Sequence, residues 1–299
     1  MNPADNIPSS KIRKILVPVD YSECSQFACR YAIKLACRLG AEIKLFHTYY
    51  SPAFDLIELA GAVQTQSQLR EEVTINLEEN ERETLGSFVN NLKDFVRDCG
   101  LSPVRITYDL APGVPEDEII SYSDEYIPDL IIMGTKGKGT GVGSIIGSVT
   151  AAVINRIKLP VLAIPEKYIF IGEENVKNLM YVTDFDESDF QTLKSLINLT
   201  EQLSLDIHCV HIGNPDSWDK VKMEGLMKYF TEVYGKSNVT YSFVSEKNLL
   251  NDLDQQITDR KINIMSLTAR RQSIVDKLFK RNITKKLFYH SAIPLLVFH

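Results

Sequence analysis

The sequence contains two copies of one pattern, and this repeat narrows the folds open to the chain. Residues 15–20, Ile-Leu-Val-Pro-Val-Asp, correspond to residues 179–184, Leu-Met-Tyr-Val-Thr-Asp, at an offset of 164 positions. The same offset relates residues 41–47 to residues 205–211. Two matches at one offset indicate a tandem arrangement of similar units.

The second copy is shorter than the first. Leu159-Pro160 corresponds to Ile293-Pro294 at an offset of 134, so the offset falls from 164 to 134 and 30 positions are lost in between. We therefore predict two domains, residues 11–167 and residues 176–299, with the boundary near residues 168–177.

Apolar runs of strand length alternate with amphipathic stretches of helix length in both copies. The first of these helices is expected at residues 22–39, with Ser22 as its N-cap. Such runs, separated by helices, indicate parallel strands in a sheet that is covered on both faces. We predict an α/β chain with two tandem open five-stranded parallel sheets, Rossmann-like, with helices on both faces. The strands are expected at residues 14–19, 43–48, 104–110, 130–133 and 161–164, and at residues 180–183, 207–212, 240–244, 262–265 and 295–298.

Charge and cysteine content exclude several classes of function. The formal net charge is −6, and nucleic-acid and anionic-membrane binding both need a basic face. No apolar run reaches the length of a membrane span, and the N-terminus shows no secretory signal. The five cysteines form no C-x-x-C pair, which suits a reducing compartment. We expect a cytoplasmic protein without nucleic-acid or membrane partners.

Glycines concentrate in one loop, residues 134–148, which holds six of the chain's 15 glycines. An apolar strand precedes this loop and an amphipathic helix follows it. Backbone N–H groups at such a helix start approach a phosphate closely, since glycine has no Cβ. The loop contains neither G-x-G-x-x-G nor G-x-x-x-x-G-K-[ST], so a dinucleotide fingerprint and a Walker loop are both unsupported. Its spacing is Gly134-x2-Gly137-x9-Gly147-Ser148.

This spacing resembles the G-2x-G-9x-G-[ST] phosphate-binding signature of the ATP-binding branch of the universal stress protein family. Three further segments resemble that family in order and position. The resemblance implies an adenine nucleotide alpha hydrolase-like fold that binds ATP, ADP or AMP, with Mg²⁺ as a possible companion of the phosphates. The three segments are residues 15–22, residues 113–119 and residues 159–165.

The resemblance also implies a set of ligand contacts at the carboxyl ends of the strands. The family's first-strand aspartate, here Asp20, contacts the nucleoside, although Asp20 also suits a capping role at the following helix. The backbone after the second strand lies near the adenine, and the glycine loop binds the phosphates. Lys136 and Lys138 add positive charge there, and the hydroxyls of Ser148 and Thr150 add a hydrogen bond or a metal ligand. The expected contacts are Asp20, His47, Thr48, Gly113, Met133, Gly134, Gly137, Lys138, Gly139, Gly147, Ser148 and Val149.

The second copy departs from the phosphate-binding pattern. The segment after Met265 contains no glycine, and Arg281 and Asn282 correspond to Gly147 and Ser148. We therefore expect the second domain to be a degenerate copy, structural or regulatory. Family members pair through their last strands, which predicts an intramolecular pseudo-dimer and leaves a further homodimer possible.

Three functions compete at this point. The first is a nucleotide-binding stress-response or signalling module, because no nucleophile or catalytic carboxylate pair flanks the loop. The second is a slow ATPase, which needs a water-activating residue and has only Asp20, Asp109 or His47 as candidates. The third is an interaction scaffold that binds no nucleotide. An intact glycine loop argues against the scaffold.

Overall fold

The structure is a computed structural model with side chains. Within the part that it describes, no helix is long and apolar enough to cross a membrane. The described residues are 11–51, 67–137, 146–166, 176–183, 187–213, 217–234, 239–245, 247–269 and 293–299.

Strands and helices alternate along both halves of the chain, as the apolar pattern predicts. The first half consists of β1 (Lys14–Val19), α1 (Glu23–Leu39), β2 (Glu42–Tyr49), α2 (Ser67–Asp98), β3 (Ile106–Pro112), α3 (Pro115–Tyr126), β4 (Leu130–Gly134), α4 (Ser148–Arg156) and β5 (Val161–Ile164). The second half consists of β6 (Asn178–Thr183), α5 (Glu187–Leu203), β7 (Asp206–Ile212), α6 (Ser217–Tyr234), β8 (Val239–Val244), α7 (Leu249–Asp259), β9 (Ile264–Thr268) and β10 (Leu295–Phe298).

The ten strands form one continuous sheet in the order β3-β2-β1-β4-β5-β10-β9-β6-β7-β8. Each half repeats the same strand order, and neighbouring strands within each half are parallel. The halves meet where β5 and β10 pair antiparallel, with Leu162 opposite Leu296. The predicted α/β class is confirmed, and the two predicted sheets are joined through the two closing strands.

Two apolar layers cover the sheet, one on each face. Ile15 and Val17 of β1 belong to one layer, whereas Leu16 belongs to the other. This alternation explains why the strand sequences are continuously apolar, since both faces of a parallel strand are covered by helices. Leu162 and Leu296 share the first layer, so this layer runs across the joint between the halves.

Helix α1 starts and ends as its sequence dictates. The predicted N-cap residue Ser22 accepts a hydrogen bond from the Ser25 backbone N–H through its side chain. Gly40 ends the helix in the left-handed conformation, with φ of 66°. At the same end, Arg38 donates to the carbonyl oxygen of Leu203 at 2.8 Å, which ties α1 to the end of α5. The two halves are therefore also linked through their helices.

Two strands, β3 and β9, are displaced at both ends from the predicted bounds, and five others are longer than predicted by one or two residues. Strand β9 extends to Thr268, although residues 266–268 were expected to begin a loop, because β10 pairs with β9 as far as Phe298 opposite Thr268. Strand β3 starts later and ends at Pro112, which pairs with Tyr49. Pro112 is compatible with the ladder because β3 is an edge strand.

Candidate functional site

A cavity of about 480 Å³ opens at the carboxyl ends of β1 and β4. The strand order reverses between these two strands, which is where open parallel sheets bind their ligands. The volume falls within the range of roughly 300–1,000 Å³ that is typical of small-molecule sites. Eight of the expected contact residues line this cavity: Asp20, Thr48, Met133, Gly134, Gly137, Gly147, Ser148 and Val149.

Four expected contact residues are not in this lining. Lys138 and Gly139 lie outside the described residues. His47 and Gly113 are described, but neither lines the cavity.

His47 faces the opposite side of the sheet. Successive side chains of a strand point to opposite faces, so Phe46 and Thr48 line the cavity while His47 points away from it. The Nδ1 atom of His47 lies 2.7 Å from the carbonyl oxygen of Val19. Its Nε2 atom lies 3.5 Å from the Glu81 carboxylate on α2. The structure thus gives the His47 side chain a structural position, and a contact between its backbone and a base stays a prediction.

Gly113 forms the turn from β3 into α3. Its φ is 150°, and its N–H donates to the carbonyl oxygen of Tyr49 at 3.0 Å. A Cβ at this position would lie 2.6 Å from Oε1 of Glu118. The backbone conformation therefore favours glycine at this turn, which lies outside the cavity lining.

The two carboxylate oxygens of Asp20 face different groups. Oδ1 accepts hydrogen bonds from the backbone N–H and the hydroxyl of Ser22, at 3.0 and 2.6 Å, which fixes the turn into α1. Oδ2 faces the glycine loop, because a Cβ on Gly137 would lie 2.6 Å from it. The turn-forming role of Asp20 is observed. Its contact with a nucleoside stays a prediction, supported by its place in the cavity wall.

Gly134 allows β4 to approach α1. A Cβ at this position would lie 2.9 Å from both the carbonyl carbon and the Sγ of Cys24, which is closer than real Cβ contacts. Burial of Cys24 raises the pKa of its thiol. Gly134 and Gly137 thus permit two close approaches that shape the cavity, one to helix α1 and one to Asp20.

The start of α4 faces the cavity, and its N-cap residue is Gly147. Glycine has no side chain that could bond to the N–H groups of the first turn. The first N–H groups of a helix have no partner within the helix and carry partial positive charge. The Gly147 N–H donates to the carbonyl oxygen of Thr135 at 2.6 Å. The Thr150 hydroxyl donates to the carbonyl oxygen of Gly134 at 2.8 Å. Both bonds fix the helix start against the end of β4.

Two charged residues, Asp20 and Lys136, occur in the described lining of the cavity. The ammonium group of Lys136 lies 2.7 Å from the Glu166 carboxylate. Glu166 therefore compensates the charge of Lys136, and it is the helix dipole at the start of α4, whose first turn has no acidic residue, that favours an anion.

The opposite part of the lining is apolar. Phe46 stacks on Tyr122 with a centroid distance of 4.2 Å, and the Tyr122 hydroxyl donates to Asp109 at 2.8 Å. Burial and the Asp109 carboxylate raise the pKa of Tyr122, so its hydroxyl stays a donor. Ile119 and Met133 extend this apolar wall. The cavity therefore combines a part that contains Lys136 and the start of α4 with a part that is apolar.

Several lining residues were missed by sequence reasoning. Phe46 was within reach, because it shares a strand face with Thr48. Pro115 and Ile119 stand four positions apart on one face of α3, in a segment whose sequence had been singled out. Ser25 carried no sequence signal. The residues missed are Pro18, Val19, Ser25, Phe46, Pro115 and Ile119.

The second half differs at the position of Gly134. Leu179 pairs with Ile264 as Ile15 pairs with Leu130, which places Thr268 at the position of Gly134. The Thr268 Oγ1 atom lies 3.0 Å from Thr192 Oγ1 and 2.9 Å from the Tyr181 hydroxyl oxygen. The second half thus has a buried polar network at the position where Gly134 of the first half packs directly against Cys24 of α1.

The apolar wall of the cavity has buried counterparts in the second half. By the same offsets, Val210, Leu253 and Leu267 stand where the first half has Phe46, Ile119 and Met133. All three are 0% exposed. Arg281 and Asn282, the predicted counterparts of Gly147 and Ser148, lie outside the described residues.

Comparisons with known proteins agree with this geometry. The sequence profile of the universal stress protein family matches residues 11–165, which include the glycine loop and all five strands of the first half. The universal stress protein MJ0531 of Methanocaldococcus jannaschii is 31% identical over 153 residues, covering 51% of this chain and 81% of that protein. The universal stress protein MJ0577 of the same organism is 28% identical over 158 residues, covering 52% of this chain and 96% of that protein.

A solved structure extends the similarity of the fold to both halves. The crystal structure of a universal stress protein from Archaeoglobus fulgidus is similar with a TM-score of 0.66 at 17% identity, and the match covers 95% of each chain. The profile match spans more than half of the sequence, and the strand order, the glycine loop and the relatives all agree with it. The chain therefore belongs to the universal stress protein family.

Proposed function

We propose that the chain binds an adenine nucleotide in a first domain, residues 11–167, and acts as a stress-response regulatory module. The observation that carries this proposal is the start of α4, where the N-cap is a glycine, in the wall of a cavity of about 480 Å³. Helix starts of this kind bind phosphate through backbone N–H groups and the helix dipole. Residues 176–299 form the proposed second domain, which packs against the first and leaves nucleotide binding to it.

Each part of the cavity suits one part of the nucleotide. The first-turn N–H groups at Ser148 and Val149, together with the Lys136 ammonium, would hold the phosphates. The Asp20 carboxylate would accept hydrogen bonds from ribose hydroxyls. The apolar wall at Phe46 and Met133 would contact the base. ATP, ADP and AMP share all of these features.

Mg²⁺ would enter together with the phosphates. The part of the chain that the structure describes contains no group of three or more acidic, histidine or cysteine side chains arranged to hold a metal ion. A nucleotide di- or triphosphate supplies most ligands of its own Mg²⁺, so the metal would be held mainly by the nucleotide.

The surroundings of the candidate bases support binding without efficient turnover. The candidates are Asp20, Asp109 and His47. The side chain of His47 points away from the cavity and contacts Glu81. Asp109 accepts a hydrogen bond from Tyr122 and forms an ion pair with Lys44 at 3.3 Å. Asp20 alone of the three lines the cavity, and one of its oxygens is already bonded twice to Ser22.

The first experiment identifies the ligand directly. Freshly purified protein is denatured, and the released small molecules are identified by chromatography and mass spectrometry. We expect close to one adenine nucleotide per chain, and intact ATP would favour binding over hydrolysis. Absence of a released nucleotide, together with no binding of added Mg·ATP in calorimetry, would overturn the proposal.

A pair of glycine variants tests the location of the site. Gly137→Val places a side chain against Asp20 and is expected to abolish nucleotide binding while the fold survives. Gly225→Val is the matched control, because nothing lies within 4 Å of a Cβ added at this position on α6. Nucleotide binding by Gly137→Val at the wild-type level would show that the site lies elsewhere.

A further inference from the structure

Lys136 and Glu166 form an ion pair at the edge of the cavity, next to the start of α4. The two side chains are 30% and 44% exposed, and their charged atoms lie 2.7 Å apart. Lys136 follows Thr135, whose carbonyl oxygen accepts the hydrogen bond from Gly147 at the helix start. Glu166 lies two residues beyond the end of β5 and does not line the cavity. A residue inside the proposed phosphate site is thus paired with one outside it.

The pairing leaves Lys136 with its charge already compensated. Asp20 is the other charged residue of the described lining, so Asp20, Lys136 and Glu166 together carry one net negative charge. An incoming phosphate therefore competes with Glu166 for the Lys136 ammonium. A terminal phosphate carries about −1.5 to −2 charges and several acceptor oxygens, whereas Glu166 carries one negative charge.

An exposed pair of this kind exchanges its partner readily. Ion pairs of exposed side chains contribute little to stability, since water competes with them and salt screens them. A phosphate held at the start of α4 gains the helix dipole and backbone N–H groups as well as the ammonium. Glu166 makes neither of these additional contacts in the described structure.

We infer that Lys136 exchanges Glu166 for a phosphate of the bound nucleotide, so that Glu166 sets how strongly the site distinguishes nucleotides by their phosphate charge. This inference rests on the proposed function. It assigns a specificity-determining role to a residue outside the cavity and outside the glycine motif. Glu166 lowers the affinity for the most highly charged nucleotides and leaves the affinity for an uncharged nucleoside unchanged.

Calorimetric titration of the full chain with ATP, AMP and adenosine tests this role. Glu166→Gln keeps the shape of the side chain and removes its charge. We expect it to tighten ATP binding roughly two- to fivefold, with a smaller gain for AMP and none for adenosine. Lys136→Gln should weaken ATP binding. Glu166→Gln should raise ATP affinity less in the Lys136→Gln protein than in the wild-type protein.

A second ion pair provides the matched control. Arg156 and Asp117 are separated by 2.6 Å and are 51% and 54% exposed. Arg156 is the last residue of α4, Asp117 is on α3, and neither residue lines the cavity. Asp117→Asn removes the same charge from a similar pair and should leave the ratio of ATP to adenosine affinity unchanged. An equal gain in ATP affinity from Asp117→Asn would show that the net charge of the protein causes the Glu166 effect, and it would overturn the inference.

The possible failures can be told apart. Wild-type binding of ATP combined with an unchanged or weakened ATP affinity in Glu166→Gln would overturn the inference and leave the proposed function standing. A wild-type protein that binds none of the three ligands would overturn both. Thermal unfolding of each variant confirms that the titrations report on folded protein.

Discussion

His47 and His211 occupy equivalent positions in the two halves of the sheet and make the same contact. The Nδ1 atom of His47 lies 2.7 Å from the carbonyl oxygen of Val19. The Nδ1 atom of His211 lies 3.2 Å from the carbonyl oxygen of Thr183. Each histidine therefore bonds to the last residue of the adjacent strand. The two histidines are 164 positions apart in the sequence, which is the offset of the repeat. The two halves therefore share this structural bond, although only the first half has the glycine loop.

Both histidines also reach an acidic residue on the neighbouring helix. The Nε2 atoms lie 3.5 Å from Glu81 on α2 and 3.3 Å from Asp219 on α6. Replacing either histidine leaves a buried carbonyl oxygen without this partner. We expect His47→Leu and His211→Leu each to lower the free energy of unfolding by about 1–3 kcal/mol. Urea denaturation measures this change.

The same variants separate structure from ligand binding. His47→Leu should bind nucleotide with wild-type affinity at temperatures where it is folded, because the side chain lies outside the cavity lining. Loss of nucleotide affinity with unchanged stability would contradict the structural role of His47.

Gly134 is expected to be sensitive to a single methyl group. Its added Cβ would meet the backbone of Cys24 at 2.9 Å, and backbone does not yield as a flexible side chain does. We expect Gly134→Ala to lower stability by roughly 1–3 kcal/mol. Gly225→Ala, at an open helical position, should raise stability by up to about 1 kcal/mol. Equal changes in the unfolding midpoints of the two variants would contradict the close packing of β4 on α1.

A buried histidine in the second half makes stability depend on pH. The ring nitrogens of His208 lie 2.6 Å from Thr240 Oγ1 and 3.0 Å from Ser242 Oγ. Burial, with a smaller contribution from the charge of Arg260, lowers the pKa of His208 from 6.5 to about 4. The neutral imidazole, with one donor and one acceptor nitrogen, matches these two hydroxyl groups.

The direction of this pH effect follows from the lowered pKa. Between pH 6.5 and about 4 the unfolded chain binds the proton and the folded chain does not, so acid favours unfolding. The stabilisation is complete above pH 6.5 and is lost as the pH falls to about 4, by up to about 3 kcal/mol. We expect His208→Gln to reduce the pH dependence of the unfolding free energy across this interval. An unchanged pH profile in the variant would show that other groups cause it.

The first half alone should associate with itself. All four residues of β5 are at most 3% exposed in the full chain, because β10 covers this edge. A fragment of residues 11–166 would expose the edge, and an uncovered apolar edge strand pairs with another strand. We expect the fragment to dimerise through antiparallel β5–β5 pairing. Analytical ultracentrifugation would detect the mass of the dimer. A folded monomer across the micromolar range would contradict this expectation.

Local patterns were sufficient for much of the fold. Residues 161–164 and 295–298 were predicted with their observed bounds, because each follows a Leu-Pro or Ile-Pro pair and is uniformly apolar. Ser22 was recognised as the N-cap of α1 because it follows the strand end and precedes an amphipathic run. Both features depend on a few consecutive residues.

Long-range packing explains what the sequence did not reveal. Thr268 was placed in a loop, yet it completes β9, where its hydroxyl bonds with those of Tyr181 and Thr192 from other elements. His47 was expected near the ligand because it lies at the end of a strand. Its position in the sequence does not show which face of the sheet its side chain takes. Phe46 and Ser25 reach the cavity only through the pairing of β2 with β1 and the docking of α1.

The antiparallel pairing of β5 with β10 has a consequence for how the two halves tolerate change. In an assembly of identical subunits, every substitution appears in all copies at once, so an interface and a ligand site cannot diverge between them. Here the two partners are encoded separately within one chain. Gly134 has been retained on one side of the joint while Thr268 stands on the other. Covalent linkage also fixes the ratio of the two unlike halves at one to one, whatever the concentration of the protein.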